Sequence, residues 1–371
     1  MARKIKKLQG GSLLLGTLPQ GCILCAKGSK MVLFVTGLCD SSCYYCPLSE
    51  EKMGEDIVFA DEMPVFDNQD ILYETDAICG EGAGISGGDP LCALERTLEY
   101  IQLLKSKYGH DFHIHLYTSK TEINQNNLEQ LKEAGLDEIR FHPQTNDWSG
   151  IERALELGLK VGIEVPVIPG QFEKLQRIAL RAEESGISFM NLNELEASET
   201  NFEHLKSQGM RLTDLASASI EGSAEVAREL LDWAVENLST LSIHFCSASY
   251  KDGVQLRNRL ERRLEQTIRE FEERDPDDSL LVLGIIRAVH GFQLDEDQLQ
   301  LIHQILHHQL GVPLDMMNID KMRMRIELAP WILDDIPDAL KMNLKDIGPL
   351  EIGIAYEYPS WDRLQTMFEP I

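Results

Sequence analysis

Between residues 31 and 246 short apolar runs alternate with longer amphipathic stretches, and this alternation restricts the fold more than any other feature of the chain. Strands are predicted at Met31–Thr36, Gly82–Ser86, Phe112–Tyr117, Glu138–His142, Lys160–Pro166, Phe189–Leu192 and Leu241–Phe245. The stretches between them carry helix punctuation. "NQNNLEQLKEAGLD" opens on asparagines suited to an N-cap and reaches Gly135, suited to a C-cap. Strands separated by helices form βαβ units and hence a parallel sheet. Six or seven such units predict an α/β fold, a partial or near-complete (β/α) TIM-like barrel. Chemistry in such barrels collects at the C-terminal strand ends. Those ends read "GLCDSSC", "GGDP", "YTSK", "HPQTND", "PVIPG" and "NELEASETN", polar or glycine-rich each time.

Three regions follow: an N-terminal arm over 1–30, the barrel over 31–248, and a small α+β appendage over 249–371. In the appendage "KDGVQLRNRLERRLEQTIREFEERD" reads as a long charged helix ending near Pro276. "DDSLLVLGIIRAVHG" and "DEDQLQLIHQILHHQLG" read as two more helices, and "MRMRIEL" and "LEIGIAYEY" as strands. With 35 Lys and Arg against 61 Asp and Glu, the net charge of -26 repels nucleic acid at long range. Lys251, Arg257, Arg259, Arg262 and Arg263 form the one basic concentration, interleaved with acids as in a salt-bridged helix face. No apolar run approaches the roughly 18 residues of a membrane span, and the N-terminus has no secretory pattern. A cytoplasmic protein is expected.

Eight cysteines are too few and too unevenly spread for a disulfide scaffold. Cys39, Cys43 and Cys46 fall on one loop directly after the first barrel strand. Thiolates at i, i+4 and i+7 can converge on an iron–sulfur cube, and a fourth would close it. Three leave one iron open. A zinc site would need a fourth ligand nearby, and none follows within the loop. Cys22 and Cys25 form a CxxC pair, read as a turn in "GCILCAKG", that needs partners to make an iron–sulfur or zinc site. Cys246, at the end of the seventh apolar run, is the first candidate, with Cys79 and Cys92 as alternatives. Reduced, partly buried thiols or a redox pair are the competing reading.

CxxxCxxC with an aromatic before its last cysteine, on the loop after the first strand, resembles the radical S-adenosylmethionine (radical SAM) superfamily. The resemblance implies a [4Fe–4S] cluster on Cys39, Cys43 and Cys46 whose open iron chelates S-adenosylmethionine. Reductive cleavage of that cofactor to a 5′-deoxyadenosyl radical, which abstracts hydrogen from a substrate, would follow. "GISGGDP" is similar to the family's glycine-rich motif, which implies cofactor contacts for Ser86, Gly87, Gly88, Asp89 and Pro90. In the family the acidic side of this motif meets the cofactor's amino group. "KVGIEVPVIPG" is similar to its fifth-strand motif, with Val165 beside adenine and Glu164 either a ribose contact or a buried structural carboxylate. Tyr117, Thr118, Ser119, Arg140 and His142 stand at levels where the family contacts ribose, carboxylate or substrate. Asn191, Asn193, Glu194 and Glu196 at the sixth strand end suit a polar ligand, or else the capped start of a helix.

"GCILCAKGSKMVLFVTGLCDSSCYYCPLSEEK", "HIHLYT" and "HFCSASYKDGVQLRNRL" further resemble a largely archaeal group of the superfamily related to pyruvate formate-lyase activating enzymes. The upstream CxxC and the appendage depart from true activating enzymes. A radical SAM enzyme is therefore expected, with ferredoxin or flavodoxin as electron donor and a protein or peptide as preferred substrate. Small-metabolite or RNA modification is the alternative within the class. An iron–sulfur binding or electron-transfer protein without radical chemistry is the alternative outside it.

Overall fold

The computed structural model describes residues 3–215 and 217–371, which divide into two compact units, 1–259 and 260–371. The first is built on an eleven-stranded sheet of order β1-β2-β11-β10-β9-β8-β7-β6-β3-β4-β5. Its parallel centre comprises β3 (Lys30–Phe34), β6 (Gly82–Ser86), β7 (His113–Thr118), β8 (Glu138–Phe141), β9 (Lys160–Val167), β10 (Phe189–Glu194) and β11 (Ser242–Cys246). Each of these pairs with the next in chain order, so the unit is singly wound. The predicted strands lie within a residue or two of these seven. Short antiparallel hairpins flank them, β1 (Ile5–Lys7) with β2 (Leu13–Leu15) against β11, and β4 (Phe59–Ala60) with β5 (Met63–Pro64) against β3. The two ends of the sheet do not pair, so the barrel is partial.

Side chains on a strand alternate between faces, and here the two faces differ sharply in chemistry. One carries Ile114, Leu116, Ile139, Phe141, Ile163, Met190, Leu192, Ile243 and Phe245, all buried in the main hydrophobic core. The other carries His115, Tyr117, Glu138, Arg140, Glu164, Asn191, Asn193, His244 and Cys246. Helix α1 (Gln20–Lys27) packs against β3, β6 and β7. A Cβ on its Gly21 would come within 2.6 Å of the His115 ring and 2.7 Å of an Arg140 nitrogen, so α1 lies on this polar face. The CxxC pair thus sits on a helix, not the expected turn. The reason is that Leu24 and Cys22 find a buried surface, and Gly28 closes the helix at φ 72°.

Helix punctuation in the linkers is as predicted. The Asn124 side chain accepts from the Asn127 N–H at 2.9 Å, and Gly135 ends that helix at φ 109°. The charged stretch after residue 250 is shorter than expected: its regular α-helix covers Arg257–Thr267. Arg259 pairs with Asp61 at 2.5 Å and with Glu62, and Lys251 pairs with Glu196, in line with a salt-bridged face.

The second unit is an antiparallel sheet of order β14-β15-β13-β16-β17, with β12 (Glu273–Arg274) beside β13. Here one expectation fails. "LLVLGIIRA" is not a helix but β13 (Leu281–Ala288), the central strand. Neighbours on both sides bury it, so its continuous apolar run carries no period by which helix and strand could be told apart. β14 (Met317–Asp320), β15 (Arg325–Leu328), β16 (Leu350–Glu357) and β17 (Gln365–Pro370) complete the sheet. Helices Glu296–Gln304, Pro330–Asp335 and Pro337–Leu344 contribute to the core that covers it.

A buried charge network crosses this sheet. Arg325 meets Glu357 at 2.5 Å and Glu327 at 2.8 Å, and Arg269 meets Glu327 at 2.5 Å. Burial alone would raise the Glu327 carboxyl, but Arg269 and Arg325 hold it down to about 2, against an ordinary 4.5. The folded unit therefore binds the proton more weakly than the unfolded chain. The stability this contributes, about 3 kcal/mol from the size of the shift, is present above pH 4.5 and lost as pH falls toward 2. Denaturant titrations of the full chain across this window should show the loss, and Glu327→Gln should flatten it.

Candidate functional site

Strand C-terminal ends and the cysteine loop enclose a cavity of about 370 Å³. Cys39, Cys43 and Cys46 line it together with Ser86, Gly87, Gly88, Tyr117, Thr118, Arg140, His142, Glu164, Val165 and Asn193. Most of the predicted site residues thus converge on one space. Of the expected cofactor contacts three do not line it: Asn191 faces a second space, as do Cys22, Cys25 and Cys246, while Asp89 and Pro90 are buried beside the cavity-lining residues.

Asp89 is held by neighbouring donors. Its carboxylate accepts from the Thr118 hydroxyl at 3.0 Å, from the Ser119 N–H and hydroxyl at 2.9 Å, and from the Leu91 N–H at 3.0 Å. With those donors in place it is turned inward, and its effect on the cavity is to fix the end of β7. Gly88 is required by contact: its N–H donates to the Thr36 carbonyl at 2.7 Å, and a Cβ would fall 2.4 Å from the Leu38 carbonyl oxygen. The glycine motif and the root of the cysteine loop are thereby pressed together.

The loop itself is tied to several strand ends. The Tyr45 hydroxyl meets His142 Nε2 at 3.0 Å, and the two rings stack at 5.9 Å. Gln144 donates to that hydroxyl at 3.2 Å and to Cys43 Sγ at 3.4 Å. The Ser41 N–H donates to Cys39 Sγ at 3.4 Å. Asn201, after β10, donates to the Tyr45 carbonyl at 3.1 Å, and Thr200 to the Leu48 carbonyl at 2.6 Å. The Ser41 and Ser119 hydroxyls are 3.0 Å apart, and Lys120 pairs with Asp40 at 2.7 Å. Tyr45, Gln144 and Asn201 were missed by sequence reading; only the aromatic before Cys46 gave any hint of them. Burial lowers His142 to about 4, so its ring is neutral near neutral pH and serves as a hydrogen-bond partner.

Arg140 lies at the inner end of the cavity, almost fully buried. It donates to Glu138 at 2.7 Å, to Glu164 at 3.2 Å and to the Tyr117 hydroxyl at 3.4 Å. Asn191 and Asn193 each donate to Glu164 at 2.8 Å. Burial would raise the Glu164 carboxyl, but Arg140 and the two amides hold it below the usual carboxylate value. Glu164 is therefore an anion aimed between both spaces.

The second space, about 170 Å³, is lined by Cys22, Cys25, Cys246, His244, Asn191, Lys30, Lys251 and Gln255, and shares Tyr117, Arg140, Glu164 and Asn193 with the first. Cys22, Cys25 and Cys246 thus line the same space, and Cys79 and Cys92 line neither. Glu194 and Glu196 turn elsewhere, to the Ala248 N–H at 2.7 Å and to Lys251. Among the described residues no three His, Cys, Asp or Glu side chains are gathered as a ready site for one metal ion.

A family model described as "Radical SAM superfamily" matches residues 33–149. A protein of Methanocaldococcus jannaschii, provisionally named as a glycyl-radical enzyme activating enzyme, is 35% identical over 366 residues, covering 95% of this chain and 93% of its own. The chain belongs to the radical SAM superfamily. It is a radical SAM enzyme, and residues 279–371 match a model described as "Domain of unknown function (DUF8061)". Among solved structures, SuiB of Streptococcus suis bound to S-adenosylmethionine aligns with TM-score 0.41 at 14% identity, over 59% of this chain and 50% of its own. Coproporphyrinogen III oxidase of Escherichia coli, a radical SAM enzyme, aligns with TM-score 0.37 at 14% identity, over 59% of this chain and 56% of its own. This radical SAM chain thus spans about half the length of each of those two solved proteins. Among the described residues no helix is long and apolar enough to cross a membrane.

In this radical SAM chain, Asp89→Ala would leave the Thr118 and Ser119 donors without their carboxylate acceptor. A loss of about 2–3 kcal/mol is expected in denaturant unfolding of the full chain, because the β7 end is released.

Proposed function

We propose that Cys39, Cys43 and Cys46 hold a [4Fe–4S] cluster with one open iron, and that S-adenosylmethionine occupies the adjoining cavity. The observation that carries this reading is the convergence of the three thiols, Gly87–Gly88 and the ends of β7, β8 and β9 on one space of about 370 Å³. The donor set fits such a cluster. Three thiols share one cavity wall, and N–H groups already point at two of the sulfurs, the kind of contact that tunes cluster potential. When bound, the pair supplies a 5′-deoxyadenosyl radical by reductive cleavage. The remaining work belongs to this chain.

Gly88 lets the backbone come flush with the cysteine loop, and Tyr45 with His142 holds that loop against β8. Glu164, kept ionised by Arg140, offers carboxylate oxygens suited to accept from ribose hydroxyls. Val165 gives apolar surface for adenine. Arg140 at the inner end balances the carboxylates around it and fixes the Tyr117 hydroxyl.

The substrate proposed is a protein or peptide, supported by the name of the Methanocaldococcus relative, an activating enzyme whose substrate would be another enzyme. A cytoplasmic setting with ferredoxin or flavodoxin as electron source suits three thiols kept reduced. A second iron–sulfur or zinc site on Cys22, Cys25 and Cys246 belongs to the same reading.

After anaerobic reconstitution and reduction, the protein should convert S-adenosylmethionine to 5′-deoxyadenosine and methionine, quantified by liquid chromatography. Cys39→Ala should reduce this to background. Cleavage that survives Cys39→Ala would overturn the ligand assignment, and a reconstituted wild type inert with and without added substrate would overturn the enzyme reading.

A further inference from the structure

The rear chamber is a built site. Cys22 and Cys25 stand on α1, and His244 and Cys246 stand two residues apart on β11, so they share its polar face. All four side chains line the one chamber. His244 is only 3% exposed, and both of its ring nitrogens lack a hydrogen-bond partner. Asn191, 2% exposed, leaves its Oδ1 without a partner against the same chamber. Buried polar atoms are seldom left so, and orphans on the wall of a shared space imply a resident group.

Its chemistry is set by the donors. Three thiols and an imidazole form a complete four-donor set for a thiophilic metal. The thiols also have the hydrogen-bond donors that cluster sulfurs attract. Asn191 donates to Cys22 Sγ at 3.2 Å, Arg140 to the same sulfur at 3.5 Å, and Gln255 to Cys246 Sγ at 3.4 Å. Lys30, Arg140 and Lys251 supply positive charge on the chamber wall to balance thiolates.

The dimensions favour a cluster over zinc. Zinc draws four donors to within about 2.3 Å of one point, whereas no three metal-type side chains in the described residues are gathered in that way. The four donors are instead among the residues that line a space of about 170 Å³. A single water needs only about 10–15 Å³ by the same measure. Cys39, Cys43 and Cys46 show the same pattern, thiols spread round a space and not met at a point.

Building on the second-site reading above, we infer that Cys22, Cys25, His244 and Cys246 ligate a second iron–sulfur cluster, fully coordinated by the chain, in the interior of the partial barrel. Four protein donors leave no open iron, so this cluster does not bind S-adenosylmethionine. His244, which sequence reading did not single out, is the fourth ligand.

The full-length Cys39→Ala/Cys43→Ala/Cys46→Ala variant, reconstituted anaerobically with iron and sulfide, isolates the second site. It should retain about half of the wild-type iron and sulfide per chain if the second cluster is [4Fe–4S], or about a third if it is [2Fe–2S], with an EPR signal on reduction. Adding Cys22→Ala and Cys25→Ala should remove the remainder. In the otherwise wild-type protein, His244→Cys should keep the iron but change the EPR g-values of one cluster and make its midpoint potential more negative, since imidazole ligands raise cluster potentials relative to thiolates.

A folded triple variant, verified by circular dichroism, that binds no iron or binds only one zinc per chain would overturn the inference. So would a His244→Cys protein with unaltered spectra and potential. These results are independent of the first cluster: wild type that cleaves S-adenosylmethionine while the triple variant is iron-free refutes the second site alone. An iron-loaded triple variant beside an inert wild type refutes only the radical chemistry.

Discussion

A guanidinium enclosed by protein cannot remain charged without partners, and the interior of this molecule is organised round that requirement at Arg140. Moving such a charge out of water costs several kcal/mol unless carboxylates and hydrogen bonds meet it. Glu138 on the same strand and Glu164 on the next meet it here, while Tyr117 lies beside it from β7. Asn191 and Asn193 on β10 then satisfy Glu164. One charge thereby fixes the facing side chains of four adjacent strands. It also stands between the front cavity and the rear chamber, so the geometry of either depends on it.

The same economy explains why an enzyme interior can be polar and still fold. The parallel strands keep most of their aliphatic side chains on the outward face, under the helices, where burial at roughly 25 cal/mol per Å² drives folding. The inward face is then free to hold histidines, carboxylates, amides and thiols, provided each finds a partner. Most do. Among the exceptions, His244 and Asn191 line the same chamber, and His244 has neither ring nitrogen partnered.

Much of this was legible in the sequence, for identifiable reasons. The seven parallel strands announce themselves because each is a short β-rich run set off by helices with their own caps. The cysteine loop is legible because thiol spacing is unusual in itself. Asp89 shows where such reading stops: its motif is visible, but the Thr118 and Ser119 donors that hold its carboxylate lie some thirty residues away. Cys22 and Cys25 were visible as a pair, yet only the docking of α1 on the polar face brings them to Cys246 and His244. β13 was misread as a helix because a strand buried on both faces has no alternation to display.

An unclosed parallel sheet has two open margins, and each is a template on which another chain's strand could add. In this molecule both margins end in antiparallel hairpins whose outermost strands are only three and two residues long, Ile5–Lys7 and Met63–Pro64. Lys6 and Lys7 put charge on the first, and Pro64 removes an amide donor from the second. A barrel that stays open gives up the protection that closure provides against sheet-to-sheet association. These two small caps restore it, so the interior can remain accessible through the gap without the protein polymerising along its own edges.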